Sequence, residues 1–350
     1  MTTMKPTVPA ETSVSGKSRR GVVWTRRGML GLQGVSAGEI RLILEKARAL
    51  SPVANRPETR TGELAGRTVA TLFFEDSTRT KTSFALAARR MSAEVIDLPM
   101  GTSSVNKGET LVDTARTVEA MGVSALVVRA RQSGAAEMIA GAVKCAVFNA
   151  GDGKHEHPTQ GLLDAYTIAE AHGRLEDFDL SGLTVAIVGD VVSSRVARSG
   201  IAALGALGAR VVCSGPPGMA PASLASLGCA VTNDFDSVIG AADVVMMLRI
   251  QFERQEEGKG GVAEGKGPEA KARMSGIVSV HEYRELYGLT RERAGRMKKG
   301  SVVMHPGPMN RGIEIDGEVA DGERSVVLRQ VANGVAVRMA ALGVCGVGTV

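Results

Sequence analysis

The segment Phe73-Phe74-Glu75-Asp76-Ser77-Thr78-Arg79-Thr80-Lys81-Thr82-Ser83-Phe84 carries the strongest chemical signal in the chain. An apolar run ends at Phe74, and hydroxyl residues then flank an arginine where a helix begins. The first N–H groups of a helix lack intrahelical partners, and the helix dipole favours negative charge there. Hydroxyls and a guanidinium beside those groups complete a cradle for phosphate. Ordinary Ser/Thr capping also puts hydroxyls at helix starts. Capping alone does not require Arg79 between threonines at the end of a strand, so phosphate binding is the preferred reading.

Other candidates recur at the ends of apolar runs. Arg129 follows Val127-Val128, and Asn149 to Gln160 brings His157 just before a helix-starting proline, with Gln160 three residues on. Gly189 to Arg195 follows a third run, Arg249-Ile250-Gln251 a fourth, and His305-Pro306-Gly307-Pro308 a fifth. Ser103 to Thr110 is a polar loop containing Lys107. Taken singly, a lone lysine is usually solvated, a histidine before proline is often structural, and Pro-Gly-Pro is a turn. Val185–Gly189 invites a dinucleotide-binding reading, but the G-x-G-x-x-G fingerprint is absent.

The elements that must hold these residues alternate. Strand-length apolar runs are expected at 68–74, 95–98, 125–128 and 146–148, with helices near 79–92, 109–121 and 134–143 between them. A helix near 158–173 leads to a second set of strands at 184–188, 210–213, 229–232, 244–248 and 302–304. This order implies two doubly wound α/β units with parallel sheets, in which ligands bind beyond the carboxyl ends of the strands. Ser36 with Glu39 makes a capping box for an earlier helix. A last helix near 325–342, apolar at Val327, Val331, Val335 and Met339, is expected to pack back across the junction. Residues 1–20 lack a periodic apolar face and read as a disordered tail. Gly258–Gly276 is Gly- and Lys-rich and reads as a mobile surface loop.

Composition narrows the classes. The 350 residues suit two domains better than one. Net charge is +5, which alone would allow nucleic-acid binding, but aromatics make up 3% and the basic residues are dispersed rather than striped. A basic tail plus an anion site explains the charge more simply. Cys145, Cys213, Cys229 and Cys345 lie far apart with no C-x-x-C, which argues against a disulfide framework or zinc site and fits a reducing cytoplasm. No apolar run reaches membrane-spanning length.

The segment from Phe73 to Phe84 closely resembles the S-T-R-T motif of the aspartate/ornithine carbamoyltransferase family. The other candidates match that family's motifs in order, from about Trp24 to the last helix. The R-x-Q and H-P-x-P motifs resemble those of members that use aspartate rather than ornithine. The resemblance implies transfer of the carbamoyl group of carbamoyl phosphate to the amine of L-aspartate, in de novo pyrimidine biosynthesis. It implies a carbamoyl phosphate-binding domain at 21–165, an aspartate-binding domain at 166–324, and a C-terminal helix at 325–350 returning to the first.

By the same resemblance, Thr80, Arg129 and His157 are catalytic. Carbamoyl phosphate would be held by Ser77, Thr78, Arg79, Thr80, Arg129, His157, Gln160, Pro306, Gly307 and Pro308, with Ser103 and Lys107 from an adjacent subunit of a homotrimer. Aspartate would be held by Lys107, Arg195, Arg249 and Gln251. No metal or organic cofactor is implied, and Gly307–Pro308 is expected to be cis. The sequence does not say whether a regulatory chain or a dihydroorotase also binds. Departures from the family pattern are Asp76, which adds negative charge beside the cradle, Ala130-Arg131, which replaces a His-Pro pair, and the Gly-rich loop Gly258–Gly276. A carbamoyltransferase for another amine, or a non-enzymatic scaffold with an anion site, is the competing reading.

Overall fold

A computed structural model describes residues 21–99, 109–250 and 279–347. The expectations for the tail 1–20, for Ser103 and Lys107, for Gln251 and for the Gly258–Gly276 loop fall outside these residues. The first sheet contains β1 (Gly28–Met29), β2 (Thr68–Phe73), β3 (Glu94–Pro99), β4 (Ala125–Ala130) and β5 (Ala146–Asp152). Its order is β1-β5-β4-β2-β3, all parallel. The second contains β6 (Thr184–Val188), β7 (Arg210–Ser214), β8 (Ala230–Thr232), β9 (Val244–Met247) and β10 (Val302–Met304), in the parallel order β10-β9-β6-β7-β8.

Both sheets are wound in two directions from an inner strand. In the first the chain moves outward from β2 to β3, then crosses back to β4 on the other side of β2. In the second it moves from β6 outward to β8, then back to β9 beside β6. The β2/β4 and β6/β9 gaps are therefore the switch points where a crevice opens at the strand ends.

The connecting helices of the first unit are α1 (Ala37–Ala54), α2 (Thr78–Arg90), α3 (Leu111–Ala120), α4 (Ala135–Ala142) and α5 (Pro158–Ala171). The second unit has α6 (Arg195–Ala206), α7 (Asp236–Ile239), α8 (Val280–Tyr287), α9 (Arg291–Arg296) and α10 (Gly317–Ala320), and α11 (Val327–Leu342) leads into a π-helical turn at Gly343–Val347. The Ser36–Glu39 capping box is formed at α1. Helix α5 is buried at twelve consecutive positions from Pro158 to Ala169, because it lies between α6 of the second unit and α11. One continuous apolar core runs from Phe73 and Phe148 in the first sheet through Leu162 and Tyr166 to Val185 and Ile187 in the second.

Helix α11 returns to pack on α1, α5 and α2 of the first unit, as expected. Its buried face is rotated from the expected one. Val331 is 46% exposed, whereas Gln330 and Asn333 are buried. Those polar residues are admitted because each finds a partner on α5: Gln330 bonds Asp164, and Asn333 bonds Thr167 and Glu170. Apolar periodicity cannot register a buried face built partly of satisfied amides.

Candidate active site

Six strand ends deliver the candidate residues to one cleft between the sheets. Phe73 and Arg129 are paired across β2 and β4, so the cradle segment and Arg129 emerge side by side. The chain passes Gly151 at the end of β5 and turns through Gly153 into His157, the N-cap of α5. From the opposite side, β6 leads to Asp190 and Arg195, β9 to Arg249, and β10 to His305, Pro306 and Gly307. Ser77, Arg79, Thr80, Arg129, His157, Gln160, Arg195, Arg249, Pro306 and Gly307 line one cavity. Thr78 and Pro308 line an adjoining outer cavity, which shares Ser77, Arg79, Arg129, Arg249 and Gly307 with the inner one.

Ser77 is the N-cap of α2, yet its side chain makes no capping hydrogen bond, and the first turn contains no acidic residue. The Ser77 hydroxyl and the first amide N–H groups of that turn thus have no capping bond between them, and Ser77, Arg79 and Thr80 line the cavity. Burial and the neighbouring Arg249 guanidinium both act to lower the pKa of Arg79. Gly307 has φ +67° within a cis Gly307–Pro308 bond. A Cβ there would lie 3.1 Å from the Arg79 guanidinium carbon, so glycine lets the loop close onto Arg79.

Glu75 is the acidic centre of this cationic wall. Its Oε1 accepts from Arg195 Nη2 at 2.7 Å and from Arg129 Nη2 at 3.2 Å, and its Oε2 accepts from Arg195 Nη1 at 3.0 Å. A residue of the first unit thus holds arginines from both. Arg129 also donates to the Ala150 carbonyl at 3.2 Å. Gly151, with φ +114°, gives these arginines room: a Cβ there would lie 2.9 Å from Arg195 Nε. The sequence contains Glu75 in its motif but gives no reason to assign it a role, because both partners come from distant strand ends.

His157 is buried, and its backbone N–H donates to Ser199 Oγ on α6 at 2.9 Å. Burial pushes its pKa well below that of a free histidine, and Arg129, Arg338 and Arg195 push the same way. The ring is therefore neutral near pH 7. Gln160, one turn on, donates to buried Asp164 at 2.9 Å. Burial raises the Asp164 carboxyl to about 7, against the opposing pull of Gln330, Gln160 and Arg338. Arg338, buried and stacked over Phe84, is lowered to about 10.

His305 sets the last loop. Its Nδ1 accepts from Gly307 N–H at 2.8 Å, which leaves Nε2 to donate to buried Glu314 at 3.2 Å. Asp76 is exposed on the outer cavity, and Arg131 and Lys154 line the same cavity. Asp76 and Arg131 thus line the outer cavity and not the inner one. Among the described residues, no group of three or more His, Cys, Asp or Glu side chains is arranged to hold a metal.

A cleft at paired switch points, walled by arginines and floored by a neutral histidine, defines a site for anionic small molecules. The family profile for the carbamoyl-phosphate-binding domain of aspartate/ornithine carbamoyltransferases matches residues 27–170, and the profile for the Asp/Orn-binding domain matches residues 181–345. The chain belongs to the aspartate/ornithine carbamoyltransferase family.

It is 51% identical to an aspartate carbamoyltransferase catalytic subunit of Myxococcus xanthus, over 91% of this chain and 99% of that one. It is 47% identical to that of Halothermothrix orenii, over 91% and 94%. Among solved structures, aspartate transcarbamoylase of Trypanosoma cruzi in complex with N-(phosphonacetyl)-L-aspartic acid superposes with a TM-score of 0.77 at 29% identity, over 91% of this chain and 96% of that one. Ornithine carbamoyltransferase of Thermus thermophilus shares the fold, with a TM-score of 0.74 at 23% identity over 91% and 98%.

The burial of His157 has a measurable consequence. The unfolded chain protonates this residue near pH 6.5, while the folded protein resists protonation until well below that. Its contribution to stability is therefore present above about pH 6.5 and is lost as the pH falls further. In an NMR titration the His157 ring signals should stay fixed from pH 8 to pH 6. A midpoint near 6.5 would contradict the buried, neutral assignment.

Proposed function

We propose that the chain transfers the carbamoyl group of carbamoyl phosphate to the amine of L-aspartate, giving N-carbamoyl-L-aspartate and phosphate. The reaction serves de novo pyrimidine synthesis, in the cytoplasm. The observation that carries this reading is the meeting of the α2 cradle with Arg129, His157, Arg195 and Arg249 in one cleft. Residues 21–165 bind carbamoyl phosphate, 166–324 bind aspartate, and 325–350 return to the first domain. The change of family profile between residues 170 and 181 supports that division.

The roles are those the family resemblance implies, and the charge and placement of the described residues support them. Ser77, Thr78, Arg79 and Thr80 hold the phosphate, joined by Ser103 and Lys107 of an adjacent subunit. Arg195, Arg249, Gln251 and the adjacent Lys107 hold the two aspartate carboxylates. The neutral aspartate amine attacks the carbamoyl carbon, and the carbonyl electron pair moves to oxygen. Thr80, Arg129 and His157 donate hydrogen bonds to that oxyanion, each donor worth about 2.7–4 kcal/mol. The neutrality of His157 suits it to donate rather than to act as a base. The carbon–oxygen bond to phosphate then breaks, and the departing phosphate takes the amine proton. Gln160 and the backbone carbonyls of Pro306 and Gly307 hold the carbamoyl amino group throughout, and Pro308 completes the carbamoyl phosphate-binding loop. The scheme uses no metal or organic cofactor. Much of the acceleration comes from holding together two anions that repel each other in water.

Arg249 acts on the acceptor in this scheme. Arg249→Ala should raise the KM for aspartate far more than that for carbamoyl phosphate in steady-state kinetics. Equal rises would remove Arg249 from the acceptor site.

The assembly is a homotrimer with sites shared between chains. Strand β3 is the edge strand of its sheet, and Ser103 and Lys107 follow it in the sequence. Arg79→Ala and Lys107→Ala proteins should each be nearly inactive. Refolded together, they should form mixed trimers in which some sites carry neither lesion, and activity should partly return. A mixture as inactive as its components, with subunit exchange demonstrated, would rule out shared sites.

A further inference from the structure

Asp164 lies on α5, fully buried, and lines neither cavity. Its Oδ1 nonetheless accepts two hydrogen bonds, from Gln160 Nε2 at 2.9 Å and from Gln330 Nε2 at 2.6 Å. An accepting oxygen can be met only by the NH₂ end of an amide. Both glutamines are therefore turned the same way, with Nε2 toward Asp164 and Oε1 away from it. For Gln160, which lines the inner cavity, Oε1 is then the free amide atom. For Gln330, Oε1 accepts from the backbone N–H of His305 at 3.2 Å, at the root of the loop carrying Pro306 and Gly307.

We propose that Asp164 is the positioning residue for recognition of the carbamoyl amino group. By holding two amide NH₂ groups on one oxygen, it presents Gln160 Oε1 as an acceptor and, through Gln330, keeps the Pro306–Gly307 segment seated against the cavity. The inference rests on the transfer reading above. Without Asp164 the two flips of the Gln160 amide become comparable in energy, and the wrong one sets NH₂ against the substrate's NH₂. Among the described residues Asp164 Oδ2 has no hydrogen-bond partner, so a proton taken up by this carboxyl sits there and leaves Oδ1 accepting.

Acetyl phosphate isolates the effect, because it carries methyl where carbamoyl phosphate carries NH₂ and is otherwise similar in shape and charge. The experiment measures kcat, the KM for carbamoyl phosphate, and the inhibition constants of acetyl phosphate and inorganic phosphate. It compares the wild type with Asp164→Leu, Asp164→Asn and Gln330→Leu. In Asp164→Leu the preference for carbamoyl phosphate over acetyl phosphate should fall about tenfold or more, the cost of a misdirected buried amide. Phosphate inhibition should stay within about twofold. Asp164→Asn, which retains an accepting oxygen, should keep most of the preference. Gln330→Leu should lose part of it, and this variant decides the matter if Asp164→Leu does not fold.

Parallel weakening of all three ligands would reduce Asp164 to a packing role and overturn the proposal. An unchanged preference would do the same. A wild type that shows no preference at all, or forms no carbamoyl aspartate, would instead overturn the transfer reading.

Discussion

Mutual repulsion among guanidinium groups is the constraint around which this molecule is arranged. Arg129, Arg195 and Arg338 all bear on His157, and Arg249 bears on Arg79. Two unit charges 6 Å apart repel by about 3 kcal/mol at an effective dielectric of 20. The free protein holds such a cluster because Glu75 neutralises part of it and the backbone carbonyls of Ala150 and Gly153 accept from it. The remaining positive field is what anionic substrates relieve. Two anions brought into that field gain more than either would alone, and their own repulsion is screened by the wall around them.

The fold converts this constraint into a position. Parallel strands put their carboxyl ends on one side, and each sheet reverses its winding at the strand that carries a motif. Helix α5 then joins the halves: its cap is His157, its first turn carries Gln160, and its interior carries Asp164. Burial on every side fixes its rotation, so these groups cannot drift relative to α6 or α11. Gly151 and Gly307 act at the same level, since a side chain at either would push an arginine out of place.

Much of this was legible in the sequence, because motifs that end apolar runs carry their structural context with them. The cradle, Arg129, His157, Arg195, Arg249 and the His305 loop all fall at strand ends where alternation places them. What escaped depends on partners distant along the chain. Glu75 stands 120 residues from Arg195, and Asp164 stands 166 from Gln330. Neither pairing leaves a local periodic trace. The two-residue β1 is too short to register as a strand, and the buried face of α11 departs from its apolar side at Val331 because it includes amides. Burial also decided what residue type could not: His157 is neutral because the fold buries it and, second to that, brings three arginines near.

The measurement closest to the centre of this account is the rate of carbamoyl transfer to L-aspartate and to L-ornithine by the purified chain, followed across ionic strength. A cleft walled by arginines should carbamoylate the dicarboxylic acceptor, reject the cationic one, and show a KM for aspartate that rises with added salt as screening weakens the field. Comparable transfer to ornithine, or a KM for aspartate indifferent to salt, would contradict the assignment of the arginine wall to an anionic acceptor.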